Sequence, residues 1–157
     1  MPQITWNEAL LTKKAKLLGM ALLRETAETI KNRIKNSMPE QGNYKSYKRP
    51  WGTHYSSMPG SRPAVDYGRL KDSISVNWSG GMYLYGEVGP NARYSDGVRK
   101  PVTTDTVVVG TNVPYAAVLE NTAATKGNRP FLKPELQVAR ALTRSTLQGV
   151  RLPVYEK

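Results

Sequence analysis

The chain has 157 residues, 39% hydrophobic and 22% charged, with 23 Lys and Arg against 12 Asp and Glu. This composition is that of a folded chain long enough for one core, residues 1–157 forming a single domain. The absence of cysteine excludes disulfide frameworks, zinc ribbons, iron–sulfur clusters and thiol nucleophiles, and the lone His54 excludes a multi-histidine metal site.

The net charge of +11 admits nucleic acid, an anionic membrane or an acidic protein as partner. Residues 1–36 carry seven bases and three acids, residues 37–72 six and three, and residues 133–157 five and two, with near balance between. No block of five like charges occurs, and no finger spacing or RNP-type strand is present. The longest apolar run, Leu17–Leu23, is too short to cross a bilayer. Met1-Pro2-Gln3-Ile4-Thr5 lacks the basic and then apolar regions of a secretory signal. The expectation is a protein made and used in a cytoplasm, or delivered by a particle assembled there.

A first helix is predicted over 5–36. Thr5 and Glu8 have capping-box spacing, and Leu11, Ala15, Leu18 and Leu22, then Leu23, Ala27, Ile30 and Ile34, recur at helical intervals. Pro39 stops it. The step from the Leu22 phase to the Leu23 phase widens the apolar face. About 30 residues at 1.5 Å each make a rod of ~45 Å, longer than a domain of this size. One end should project and be covered by something outside the monomer.

Residues 37–66 are predicted as an extended loop or arm, rich in Pro, Gly, Ser, Tyr and Lys and nearly devoid of aliphatics. Tyr44, Tyr47 and Trp51 interleave with Lys45, Lys48 and Arg49, and Tyr55 follows. Such a segment can order against a neighbouring subunit, or stack on single-stranded bases. Residues 67–132 are predicted as a sheet with a short helix: a strand over 73–79, a Gly80-Gly81 turn, an alternating strand over 82–89, and a strand at Thr106–Gly110. The short helix follows Pro114, and Phe131-Leu132 lead into a second long helix over 133–149, with Pro134 and Glu135 in its first turn. Residues 150–157 form a tail. The fold class is α+β: a long N-terminal helix and a C-terminal helix packed on a small antiparallel sheet, with a long Pro/Gly-rich loop.

The chemistry of an enzyme is thin. No phosphate-binding loop, zincin pattern or nucleophile elbow is present. His54 lies among Gly52, Thr53 and Tyr55, a neighbourhood that promises little rigidity. Asp66 and Asp72 flank Gly68 as a turn partner and a cap. Glu87 lies on an alternating strand as a solvent-facing residue. Glu120 ends an otherwise apolar short helix and is a structural ion-pair partner for Arg129 or an interface group. No catalytic, metal-binding or cofactor-binding set emerges.

Four blocks in order carry a resemblance: Met58-Pro59-Gly60-Ser61-Arg62-Pro63-Ala64; Gly68-Arg69-Leu70-Lys71-Asp72-Ser73-Ile74; Val109-Gly110-Thr111-Asn112-Val113-Pro114-Tyr115-Ala116 with Leu119-Glu120; and Arg129-Pro130-Phe131-Leu132-Lys133-Pro134. The chain resembles the tail-completion or neck proteins of tailed bacteriophages, the head–tail joining components. It departs after Glu120, where Asn121-Thr122-Ala123-Ala124 replaces a glycine-containing turn, and at Val65-Asp66-Tyr67. The resemblance implies a non-enzymatic virion protein without cofactor, forming a ring, commonly a hexamer, around the DNA path between head connector and tail. It implies as partners the chain itself, a head connector or adaptor, a tail tube or terminator protein, and packaged DNA by non-specific proximity, with no membrane. Assembly would take place in the host cytoplasm. A tail-terminator or head-side adaptor role and a basic nucleic-acid-binding module are the alternatives. Subunit-interface candidates are Tyr44, Tyr47, Lys48, Arg49, Trp51, Tyr55, Glu120 and Arg129. Pro59, Gly60, Gly68, Leu70, Gly110, Tyr115, Ala116, Pro130 and Phe131 are the structural positions of the four blocks.

Overall fold

The computed structural model describes residues 8–79, 85–99, 101, 103–123 and 126–149. Helix α1 spans Glu8–Ser37, and Ser37 Oγ closes its last turn on the Ile34 carbonyl at 2.8 Å. Thr5 of the expected capping box lies outside the described residues. The C-terminal half of α1 supplies Ala27, Ile30 and Ile34 to the core, and Met38 follows just beyond the helix. Residues 12–18 of its N-terminal half are exposed, Leu17 to 64% and Leu18 to 53%, and Lys16 Nζ reaches Asp105 at 3.3 Å. The rod thus outruns its body, as its length requires.

The body is small. Strands β3 (Ser75–Trp78) and β4 (Val107–Gly110) pair antiparallel with Val76 opposite Val109, and α1 lies against both. Helix α2 is a single turn, Arg69–Ser73, opened by Gly68 at φ 76°, a left-handed conformation that a side chain would strain. Helix α3 spans Ala116–Asn121, and α4 (Lys133–Gly149) packs along α1. Phe131, Ile34, Ile74, Val113 and Ala116 form the buried centre, with Leu70, Val109, Leu119 and Val138 around it. The helices and antiparallel pairing make the fold α+β.

Two segments differ from expectation. The Gly80-Gly81 turn and residues 82–84 of the strand expected over 82–89 lie outside the described residues, and residues 85–89 form no regular strand. Within it, Tyr85 forms an isolated bridge with Arg99, and the Gly86 amide donates to the Val98 carbonyl at 2.7 Å. The strand hydrogen-bonded to β3 is β4. Side chains hold this layer together: Ser75 Oγ accepts the Val98 amide at 2.9 Å, and Ser73 Oγ meets Thr111 Oγ1 at 2.7 Å.

The second difference is in the Pro/Gly-rich segment 37–66, which contains a hairpin. Strands β1 (Ser46–Arg49) and β2 (Gly52–Tyr55) pair antiparallel around Pro50-Trp51. The pairing runs on through bonds from the Gly42 amide to the Tyr55 carbonyl and from the Tyr44 amide to the Ser56 carbonyl. A Cβ at Gly42 would fall 2.0 Å from the Ser56 carbonyl carbon, so only glycine allows this approach. The rest of the segment is tied down: the Val65 amide bonds the Pro39 carbonyl, and the Gly60 amide the Asn128 carbonyl, both at 2.8 Å.

Two buried carboxylates lock elements far apart in sequence. Glu135 of α4 accepts Arg33 Nε from α1 at 2.8 Å and Arg62 from the loop, whose other nitrogen holds the Phe131 carbonyl at 2.7 Å. Asp96 accepts Arg69 of α2 through both oxygens, at 2.8 and 2.7 Å, and the Arg93 amide at 2.9 Å. Burial pushes the Glu135 carboxyl up, but Arg33 and Arg62 outweigh it and hold it below the ordinary glutamate value. The Arg69 guanidinium does the same for Asp96, against its burial. A folded-state pKa below the unfolded value gives stability that is present above the unfolded pKa of about 4 and lost as pH falls through the folded one. Stability in urea should be flat from about pH 7 to 5 and decline below about pH 4. Asp96→Asn should lower the plateau and flatten the decline. An equally steep decline in that variant would assign the acid sensitivity elsewhere.

Candidate docking site

The β1–β2 hairpin has two unlike sides because strand side chains alternate. Tyr47, opposite His54, and Arg49 share the side toward the body, where all three line a cavity of about 680 Å³. Ser46, Lys48, Thr53 and Tyr55 lie on the other side, in solvent. Trp51 at the tip is 59% exposed; Tyr44, Tyr47 and Tyr55 are exposed to similar degrees. The ribbon therefore carries four large exposed aromatics and exposed lysines.

Arg49 fixes the root of this ribbon. It bonds both oxygens of Asp66, at 2.5 and 3.3 Å, and its guanidinium lies 5.4 Å from the Tyr67 ring and 5.9 Å from that of Tyr47. Trp51 meets Tyr67 edge-on, with centroids 4.5 Å apart. On the far strand, His54 is buried, its Nδ1 3.9 Å from Asp66 Oδ1. It is a held residue in a strand, not the loose loop histidine its glycine-flanked sequence suggests. Asp66 is accordingly an ion-pair partner, whereas Asp72 accepts the backbone and side-chain amides of Asn91 at 2.9 and 2.7 Å. Glu87 is exposed, as expected, but it lies outside any strand.

Four cations line the cavity beneath the hairpin, each with a partner. Arg49 faces Asp66, Arg69 faces Asp96, Lys71 reaches Glu40 at 2.8 Å, and Arg129 is held by carbonyls. Tyr115, also in the lining, has its phenol pKa raised by burial. Among the described residues, no three His, Asp or Glu side chains come together as metal ligands, and no helix is long and apolar enough to cross a membrane.

Glu120 and Arg129 part company. The Glu120 carboxylate accepts the backbone amides of Phe131 at 2.9 Å, Leu132 at 3.0 Å and Lys133 at 2.7 Å. These are the unpaired donors at the start of α4, and a carboxylate there also meets the positive end of the helix dipole. Arg129 instead donates twice to the Ser57 carbonyl, at 3.0 and 2.9 Å, and once to that of Gly127 at 3.0 Å. The ion pair expected between them is replaced by two backbone clamps, because each side chain finds orphan groups nearer to hand.

The block residues divide by role. Phe131 and Ala116 are core, Leu70 packs beside it, and Tyr115 precedes α3. Gly60 and Gly68 take positive φ; Pro59 adjoins the former, and Pro130 precedes Phe131. Gly110 ends β4. Sequence reasoning missed Ser57, Arg62 and Glu135, whose interactions reach across 69 to 102 residues. No spacing rule reports such separations.

A family model described as "Bacteriophage HK97-gp10, putative tail-component" matches residues 8–121. No curated protein and no solved structure matches the chain.

Proposed function

Since the chain belongs to the HK97-gp10-like family of bacteriophage tail components, we propose that it acts as a ring subunit at the junction of head and tail, around the path of the DNA. Its partners in this reading are further copies of itself, a head connector or adaptor on one face, and a tail tube or terminator protein on the other. Packaged DNA passes by without specific contact. The work is done by shape, with no bond broken.

The hairpin is the observation that carries this reading. Tyr and Trp are the side chains that dominate protein interfaces when buried, and here they stand in solvent on a ribbon whose root is fastened by Arg49 and Asp66. A ribbon oriented in advance loses little freedom on docking. Tyr44, Tyr47, Lys48, Trp51 and Tyr55 are its contact residues, Arg49 and Arg129 set its angle, and Glu120 holds the body beneath.

The double variant Trp51→Ala, Tyr55→Ala tests this. Both side chains are exposed, so the melting temperature should stay within a few degrees, as for most surface changes. Self-association by sedimentation should weaken at least tenfold, about 1.4 kcal/mol, and phage carrying the variant should accumulate filled heads without joined tails. Unchanged association together with normal particles would remove the hairpin from the interface.

A further inference from the structure

The two halves of α1 point their apolar residues in different directions. At 100° per residue, the stripe of Ala15, Leu18 and Leu22 is turned ~120° from that of Ala27, Ile30 and Ile34. The second stripe is buried in the core. On the first, Ala15 is exposed, Leu18 is 53% exposed and Leu22 only partly covered, on a helix end that carries the exposed Lys13 and Lys14, while Lys16, on the side toward the body, pairs with Asp105 at 3.3 Å. The chain's own body cannot cover this stripe without unseating the other.

The same chain carries an unfilled groove of mixed apolar and polar lining. It measures about 370 Å³, between α3 and the start of α4, and Thr111, Asn112 and Asn121 share its lining with Val113, Pro114, Ala117 and Leu132. That is room for more than one leucine side chain. No Lys or Arg lines it, and the Glu120 carboxylate in its lining is already taken up by three backbone amides. The larger cavity under the hairpin, by contrast, is lined by Arg49, Arg69, Lys71 and Arg129, each with a partner of its own. In a chain of net charge +11, the small groove is the one that a lysine-flanked helix can enter without meeting its own charge.

The two surfaces cannot meet within one molecule. Leu18 precedes Arg33 by fifteen residues of helix, ~22 Å, and Arg33 binds Glu135 in the first turn of α4, beside the groove. We propose that the projecting end of α1, through Leu18 and its stripe, docks into the α3–α4 groove of a second copy of this chain. The joined patches differ, so the contact is head-to-tail and each subunit gives one and receives one. Such contacts close into rings when the rotation allows. The inference rests on the ring reading above and names a surface of its interface separate from the hairpin.

The chain has no cysteine, so single thiols can be placed without background. Leu18→Cys and Ala117→Cys, both at exposed positions, are purified separately, mixed at assembly concentration and treated with a short bis-maleimide. Cross-linked pairs containing one of each variant, with a ladder of higher species from the doubly substituted chain, are the expected result. Oligomers by native mass without such a cross-link would overturn the docking and leave the ring standing. Leu18→Cys linking mainly to itself would overturn it in favour of a symmetric helix pair, and linking only to another phage protein in intact particles would assign the stripe to that protein. A chain that is monomeric at every concentration and does not cross-link, with no ring in the particle, would remove both readings.

Discussion

Glu120→Ala is expected to lower the stability of the free chain by about 3–5 kcal/mol, although the side chain is small and remote from the hairpin. Its carboxylate accepts three amides at the entry to α4, and the chain buries it to 7% exposure. Hydrogen bonds to a charged group contribute about 1.5–3 kcal/mol each, and less than their sum together. Removal also leaves donors stranded in partly buried positions. For a chain of this size the melting temperature should fall by roughly 10 °C. Glu120→Gln keeps the shape but turns an NH₂ toward one of the three donors, and should cost about half as much. Urea denaturation gives the energies, and amide exchange at residues 131–133 gives the location. A loss below about 1 kcal/mol in the alanine variant would show that water replaces the carboxylate easily and that the clamp contributes little.

Phe131→Ala should cost a similar amount, about 3–5 kcal/mol, by a different route. Phe131 is fully buried at the centre of the core with Ile30, Ile34, Met38, Ile74, Val113 and Ala116. Truncation leaves a cavity at the junction of α1, α3 and α4, where three elements must move together to fill it. Phe131→Leu, which keeps most of the volume, should lose less than about 2 kcal/mol. The two alanine effects should not add, because the Phe131 amide is one of the donors that Glu120 holds. A Phe131→Ala loss below about 1 kcal/mol would mean that the core collapses around the gap.

What the sequence disclosed follows from which forces repeat along it. Helix α1 was legible from Ala27, Ile30 and Ile34, and its exposed end from a length greater than the body can cover. The helix at 133–149 and the strand at 107–110 declared themselves by Pro134 and by Val107-Val108-Val109. The hairpin was hidden because Ser46-Tyr47-Lys48-Arg49 and Gly52-Thr53-His54-Tyr55 contain no aliphatic residue to alternate. Its strands are made by backbone pairing and by Arg49 on Asp66. The pairing of β3 with β4 was hidden for another reason: a long intervening segment separates the partners, and a glycine pair suggested a nearer turn. Arg33, Arg62 and Glu135 read individually as surface charges, and only the fold brings them together. The four ordered blocks of the resemblance reached the family, while composition alone reached only the class of possible partners.

The root of the hairpin is fastened by charge, not by grease. Arg49 to Asp66 is about one-third and one-quarter exposed on its two sides, so dissolved ions reach it and weaken it, while the apolar centre of the body is indifferent to them. The mounting therefore behaves as an ionic spring. It should stiffen in dilute medium and slacken in brine, so the angle of the aromatic ribbon is expected to follow the electrolyte around it.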